Sequence, residues 1–279
     1  MTLLYVVVPY FAVTLIFAVV QRKLLYRPTV SEDLRAQTLG LDAELVRDVQ
    51  IQTPDGETLN GWLLNSPGED AETGNPLVVY FPGNSLNRYE RYEDLSEVAN
   101  AGYNVLIFDY RGFGDSSGSP SERKLSADAQ LVWEFVREDL KYEENRVVIF
   151  GESLGGAVAL SLWSGEIDNP PQPAALILNS TFASLPETVG WHYPLFPFRF
   201  LLLDRWPSKE RIARVRVPVI VFHGTDDSMV PISQGRDLAE VCPSAGFIEI
   251  PGASHNEIPM HRLRKELELI RLRMDDETK

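Results

Sequence analysis

Short apolar runs recur along most of the chain, at Leu77–Phe81, Val105–Phe108, Val147–Phe150, Ala175–Leu178, Val219–Phe222 and Phe247–Ile250. Runs of this length without polar alternation read as strands buried on both faces. Between them lie stretches with helical spacing at Tyr89–Ala101, Ser121–Leu140, Gly156–Trp163 and Ile232–Val241, and a helix from about Met260 to Met274 closes the pattern. Upstream, Val49 and Ile51 alternate with polar neighbours, Thr53-Pro54-Asp55-Gly56 supplies a turn, and Leu59 to Leu64 returns as a second strand, an opening hairpin. Strands alternating with helices predict an α/β domain, doubly wound around a mostly parallel sheet with helices on both faces. Ligands of such folds bind at the carboxyl ends of the strands.

Three segments depart from this rhythm. Residues 3–20, LLYVVVPYFAVTLIFAVV, carry no charge, and as a helix they would span about 27 Å, close to the thickness of a bilayer core. The stretch reads as a single-pass membrane anchor within residues 1–24, with Pro9 tolerated as a kink and residues 25–279 forming the domain. A cleaved signal peptide is the main rival reading, but no Lys or Arg precedes the run and no A-x-A-like site follows it, and a buried amphipathic helix is the further alternative. Arg22, Lys23 and Arg27 follow directly, which places the domain on the cytoplasmic face by the positive-inside rule. Residues 66–76, SPGEDAETGNP, read as a surface loop. Residues 181–218, containing WHYPLFPFRFLLLDRWP, are too long for an ordinary connection and read as a lid over the active site.

Composition narrows the functional classes. The chain has 279 residues, enough for one large domain, and a formal charge of -14, which weighs against nucleic acid as a partner because phosphate binding needs a basic face. Cys242 is the single cysteine, so no intrachain disulfide forms, and with four histidines there is no metal-ligand spacing. No metal or cofactor is expected, and oligomeric state is not legible.

The chemistry concentrates at strand ends. Gly151-Glu152-Ser153-Leu154-Gly155 follows the run Val147–Phe150 and opens a helix. Glycines on either side let the chain turn sharply and hold a serine exposed in strained geometry, the arrangement of a nucleophile. A serine nucleophile needs a base and a group that orients the base. His255, in Gly252-Ala253-Ser254-His255-Asn256 after the last strand, is the candidate base, and Asp226 and Asp227, after Val219–Phe222, both qualify as the acid. The order Ser, Asp, His along the chain is that of the α/β-hydrolase plan. For an oxyanion hole, Leu154 offers the amide after the nucleophile, and Pro82-Gly83-Asn84 after Leu77–Phe81 nominates the amide of Asn84. His223 is suited to support the acid loop, and His192 lies in the lid. Trp191, Phe196 and Phe198 are candidate substrate contacts as an apolar lid wall.

The segments QRKLLYRP, TPDGETLNGWLL, YFPGNSLN, DYRGFGDSSGSPSE, GESLGGAVAL, HGTDDSMVP and PGASHNE, in that order, resemble the membrane-anchored α/β-hydrolase-domain proteins near monoacylglycerol lipases and serine aminopeptidase-like hydrolases. The resemblance implies the α/β-hydrolase fold with a short lid and a serine-hydrolase activity, and selects Asp227 over Asp226 as the acid. It also implies that the loop from Asp109 borders the site and braces the fold. Relatives commonly carry histidine where Pro82 stands, so bracing by that side chain is missing. The expected substrate is a small-molecule or lipid-like carboxylic ester or thioester. A peptidase, with Glu187 or Asp204 meeting a substrate amine, and a catalytically silent membrane adaptor are the alternatives.

Overall fold

In the computed structural model, residues 2–67, 74–165, 169–255 and 257–277 are described, so the middle of the loop at 66–76 lies outside the description. Eight strands form one sheet: β2 (Val46–Gln52), β3 (Thr58–Leu64), β4 (Leu77–Phe81), β6 (Asn104–Phe108), β7 (Val147–Glu152), β8 (Ala175–Asn179), β9 (Val219–Gly224) and β10 (Ala245–Ile250). Their spatial order is β10-β9-β8-β7-β4-β6-β3-β2. The opening hairpin β2–β3 is antiparallel and β3 pairs antiparallel with β6, while every other pairing is parallel. Two further short strands, β1 (Arg27–Pro28) and β5 (Ser85–Leu86), pair with each other.

Burial follows the apolar pattern. Every residue of β4, β6, β7 and β8 is buried, as strands covered on both faces require, whereas in the edge strand β2 only Val46 and Ile51 are buried. One face of the sheet is covered by α3 (Glu122–Glu134) and α4 (Leu154–Leu160), whose Leu125, Val132, Ala157 and Leu160 join one apolar layer. The other is covered by α2 (Tyr92–Ala99) and α9 (Met260–Glu277), through Leu95, Val98, Leu263 and Leu267. The long pattern Ser121–Leu140 is not one α-helix: α3 opens with the Ser121 hydroxyl accepting from the Lys124 amide and passes at Phe135–Asp139 into a π-helical turn.

The insertion after β8 holds three short helices, α5 (Leu185–His192), α6 (Phe198–Leu201) and α7 (Ser208–Ile212), and α8 (Ile232–Val241) follows β9. The N-terminal apolar stretch forms α1 (Thr2–Leu25), a single helix with Pro9 inside it. It is not a detached rod, because from Tyr10 onward it packs along the insertion.

The turn into α4 is sterically exacting. A Cβ on Gly155 would collide with the carbonyls of Phe81 and Pro82, and one on Gly156 with the Thr181 side chain. Backbone cannot yield as a flexible side chain can, so Gly155→Ala is expected to cost about 3 kcal/mol. Urea unfolding of the two proteins measures this.

Candidate active site

Three loops at the carboxyl ends of β7, β9 and β10 meet at one point. Ser153, between β7 and α4, has φ 52° and ψ −116°, a conformation that a non-glycine residue adopts only under constraint. The constraint comes from its amide, which donates to the Asn179 carbonyl at 2.8 Å, and from the glycines that admit the close crossing of strand and helix. The hydroxyl is thereby held at the strand end, with the residue 8% exposed.

His255 Nε2 lies 3.0 Å from Ser153 Oγ, and its Nδ1 lies 2.7 Å from Asp227 Oδ2. An ionised carboxylate only accepts, so Nδ1 carries the proton and Nε2 faces the hydroxyl as an acceptor. Asp227 Oδ1 accepts from the amides of Met229 at 2.9 Å and Val230 at 2.8 Å. Asp226 is exposed and accepts from the Thr225 hydroxyl instead. Of the two aspartates, Asp227 is therefore the one against the imidazole.

Burial alone would push the Asp227 carboxyl up. Hydrogen bonds from His223, His255 and the Val230 amide outweigh it and hold the group well below the usual carboxylate range. His223 Nε2 lies 2.9 Å from the Val230 carbonyl and 3.3 Å from Asp227 Oδ2, two acceptors, so Nε2 bears its proton. A carboxyl with a lower folded than unfolded pKa adds stability above its unfolded pKa, near 3.9 for aspartate, and loses it as pH falls through the folded value. The stability gap between wild type and Asp227→Asn is thus expected to be widest near neutral pH and to narrow toward about pH 3, which urea melts across that range check.

The candidate oxyanion donors flank the nucleophile. The Leu154 amide opens α4, where the first-turn N–H groups have no partner within the helix. On the other side Gly83 is so close that a Cβ there would stand 3.3 Å from Glu152 Oε1 and 3.8 Å from Ser153 Cβ. The adjoining Asn84 is fixed by its side chain, which donates to the Leu25 carbonyl at 2.7 Å, and by its own carbonyl, which accepts from the Arg27 amide at 2.9 Å. Bracing expected of a histidine at position 82 is supplied differently, by the Tyr110 hydroxyl donating to the Pro82 carbonyl at 2.8 Å.

The chain from 76 to 209 matches the family model described as serine aminopeptidase, S33. An uncharacterized protein of Mycobacterium tuberculosis is 39% identical over 252 residues, covering 90% of this chain and 86% of that protein. Protein bem46 of Schizosaccharomyces pombe is 31% identical over 218 residues, covering 75% of this chain and 70% of that protein. The chain belongs to this α/β-hydrolase family. The hydrolase is also similar to lysophosphatidylserine lipase ABHD12 of Rattus norvegicus, 34% identical over 209 aligned positions, with 67% of this chain and 52% of that protein covered. A solved esterase from Pyrococcus furiosus shares the fold at a TM-score of 0.64 and 19% identity, covering 89% of this chain and 98% of that one.

Other residues behave less as the motifs suggested. The three aromatic candidates of the insertion have other aromatic partners. Phe196 stacks on Tyr10 and Phe198 on Phe17, both of α1, while Trp191 is exposed and edge-on to His192. The reason is that α1 presents a face that must be covered, and these rings cover it. His192 Nε2, 2.8 Å from the Met229 carbonyl, ties the insertion to the loop that carries Asp227. Of the two acids of the insertion, Asp204, 3% exposed, is held by Arg22 and Tyr26, whereas Glu187 is exposed and accepts one hydrogen bond from Gln234 at 3.2 Å.

Glu152, the variable residue of the glycine-serine motif, was not singled out by its sequence. It is buried beside the nucleophile, accepting from the Tyr80 hydroxyl at 3.0 Å and from Arg91 Nη2 at 2.6 Å. Burial pushes its carboxyl up, opposed by Arg91 and Tyr80. The only available signal was the presence of an acid within an otherwise apolar strand end.

Proposed function

We propose that the chain is a membrane-attached serine hydrolase that cleaves carboxylic esters or thioesters with an acyl chain. The observation that carries this reading is the hydrogen-bonded series from Ser153 through His255 to Asp227, mounted on a strained strand-to-helix turn. His255 takes the hydroxyl proton as Ser153 Oγ attacks the acyl carbon, and Asp227 stabilises the imidazolium. The amides of Leu154 and Asn84 hold the developing oxyanion. His255 then protonates the leaving group, and water attacks the acyl-enzyme by the reverse route. A silent scaffold would have no use for a strained serine in line with a base.

An ester rather than a peptide is favoured because Asp204, one of the two acids that could meet a substrate amine, is buried in an ion pair with Arg22, while relatives include a lysophosphatidylserine lipase. Attachment to a membrane, from the cytoplasmic face, is supported by Val7–Leu25 of α1, apolar and long enough to cross, with Arg22 and Lys23 in its last turn and Arg27 just after it. The test is hydrolysis of p-nitrophenyl esters from acetate to palmitate, and of lysophospholipids, by the full chain in detergent micelles. Turnover that rises with acyl length is expected. A folded enzyme inert on every ester would contradict the reading.

A further inference from the structure

We infer that α1 lies along one leaflet of the membrane, with the lid seated on its back, instead of crossing the bilayer. The inference rests on the membrane attachment proposed above and specifies its geometry.

One stripe of α1 faces protein. Tyr10, Thr14, Phe17, Gln21 and Leu25 recur at spacings of three and four residues and so share a helix face. Tyr10 donates to the Leu195 carbonyl at 3.1 Å, and Gln21 donates to the Leu201 carbonyl at 3.1 Å and accepts from the Leu203 amide at 2.7 Å. The phenyl rings of Phe17 and Phe198 stack at 4.0 Å. Arg22 closes the series with two hydrogen bonds of 2.9 Å to Asp204, which also accepts from Tyr26.

This contact conflicts with a span. Tyr10 and Arg22 are about 18 Å apart along a helix axis. If Arg22 and Lys23 marked the membrane surface, the lid backbone at Leu195 would lie beyond the middle of a hydrocarbon core about 30 Å thick. Irregular backbone does not persist in lipid at that depth, because its polar groups cannot find partners there. Either the lid contacts break or the helix does not cross.

The rest of α1 fits the second outcome. Val8, Phe11, Leu15, Ile16 and Val19, on its other side, are 54–78% exposed, an apolar face of the kind monomeric proteins do not leave in water. The polar Tyr10 and Gln21 are hydrogen-bonded to the lid, and the Thr14 hydroxyl donates back to the Tyr10 carbonyl within α1. With the lid as its polar cover, α1 becomes an amphipathic element whose apolar side sinks into the acyl region. Leu195, 82% exposed, Phe200 and Leu203 continue that surface from the lid, and Trp191, Tyr193, Arg199 and Lys23 suit the headgroup layer. The partner is therefore a phospholipid leaflet, and amphiphiles within it reach the lid without leaving the membrane.

The test is the sidedness of the two ends of the full chain in bacterial membranes. Thr2→Cys, at the start of α1, and Glu268→Cys, on the exposed face of α9, are labelled separately with a membrane-impermeant maleimide. The native Cys242 is buried and gives the blank. Ester hydrolysis by each variant shows that it is folded. Equal labelling of both in inside-out vesicles, with loss of both in intact spheroplasts, is expected. Labelling of both from the outer side instead would keep the leaflet geometry and overturn the cytoplasmic placement. Labelling of the two from opposite sides would overturn the inference and leave the attachment standing as a span. Recovery of the chain in the soluble fraction would overturn both.

Discussion

Ser153→Ala is expected to lower kcat for ester hydrolysis by about 10⁵- to 10⁶-fold, the scale on which removing the nucleophile of a serine triad acts. The loss is this large because the three side chains act as one unit. His255 has no proton to accept without the hydroxyl, and the Asp227 contact at 2.7 Å then orients a base with nothing to activate. A second variant, Asp227→Asn, leaves the shape intact but offers the imidazole the wrong hydrogen-bonding pattern, and a loss near 10⁴-fold is expected. Asp226→Asn, at the exposed neighbour, changes neither the imidazole nor the nucleophile and is expected to retain activity. Rates with a soluble p-nitrophenyl ester separate the three. A hydroxyl-free enzyme retaining even a hundredth of the wild-type rate would exclude Ser153 as nucleophile.

The second large effect falls on stability. Arg88→Met is expected to cost about 3–5 kcal/mol, since it strands buried carboxylates that the guanidinium now neutralises. Arg88 is 1% exposed; it bonds Asp109, meets Asp115 at 2.6 Å and 3.1 Å, and donates to the Leu34 carbonyl at 3.1 Å, while its amide donates to Asp109 at 2.8 Å. Its Cζ lies 5.1 Å from the centre of the Trp62 ring. Asp109, buried, is already pushed up to about 6 despite Arg88. Without the arginine that carboxyl binds a proton still more readily, so the variant loses less stability under mildly acidic conditions than at neutral pH. Urea midpoints at two pH values test both statements. An equal cost at both would mean that the lost packing on Trp62, and not the charge, accounts for the effect.

The two sheet faces were legible because β4, β6, β7 and β8 are buried on both sides, and such strands must read as unbroken apolar runs. The meeting of Ser153, Asp227 and His255 was legible for a related reason: each follows a strand of a parallel sheet, and the carboxyl ends of such strands share one rim. The resemblance, not the spacing, chose between the two aspartates, and their burial now accounts for the difference. What escaped was contact across great sequence distance. In an apolar stretch such as residues 3–20 the eye reads hydrophobicity, and the contacts of Tyr10, and of Gln21 just beyond it, with a segment some 180 residues away leave no local mark. For the same reason Phe196 and Phe198 read as a pocket wall when their partners are Tyr10 and Phe17. Glu152 escaped because its partner Arg91 is likewise remote, and a lone acid says nothing about what neutralises it.

Reaction of the full chain with a fluorophosphonate, followed by peptide mass spectrometry, tests most directly whether this is a serine hydrolase of the kind described. A single adduct on the peptide containing Ser153, abolished by prior unfolding and absent from Ser153→Ala, is the result expected. An unmodified protein that remains folded, or an adduct on any other serine, would contradict it.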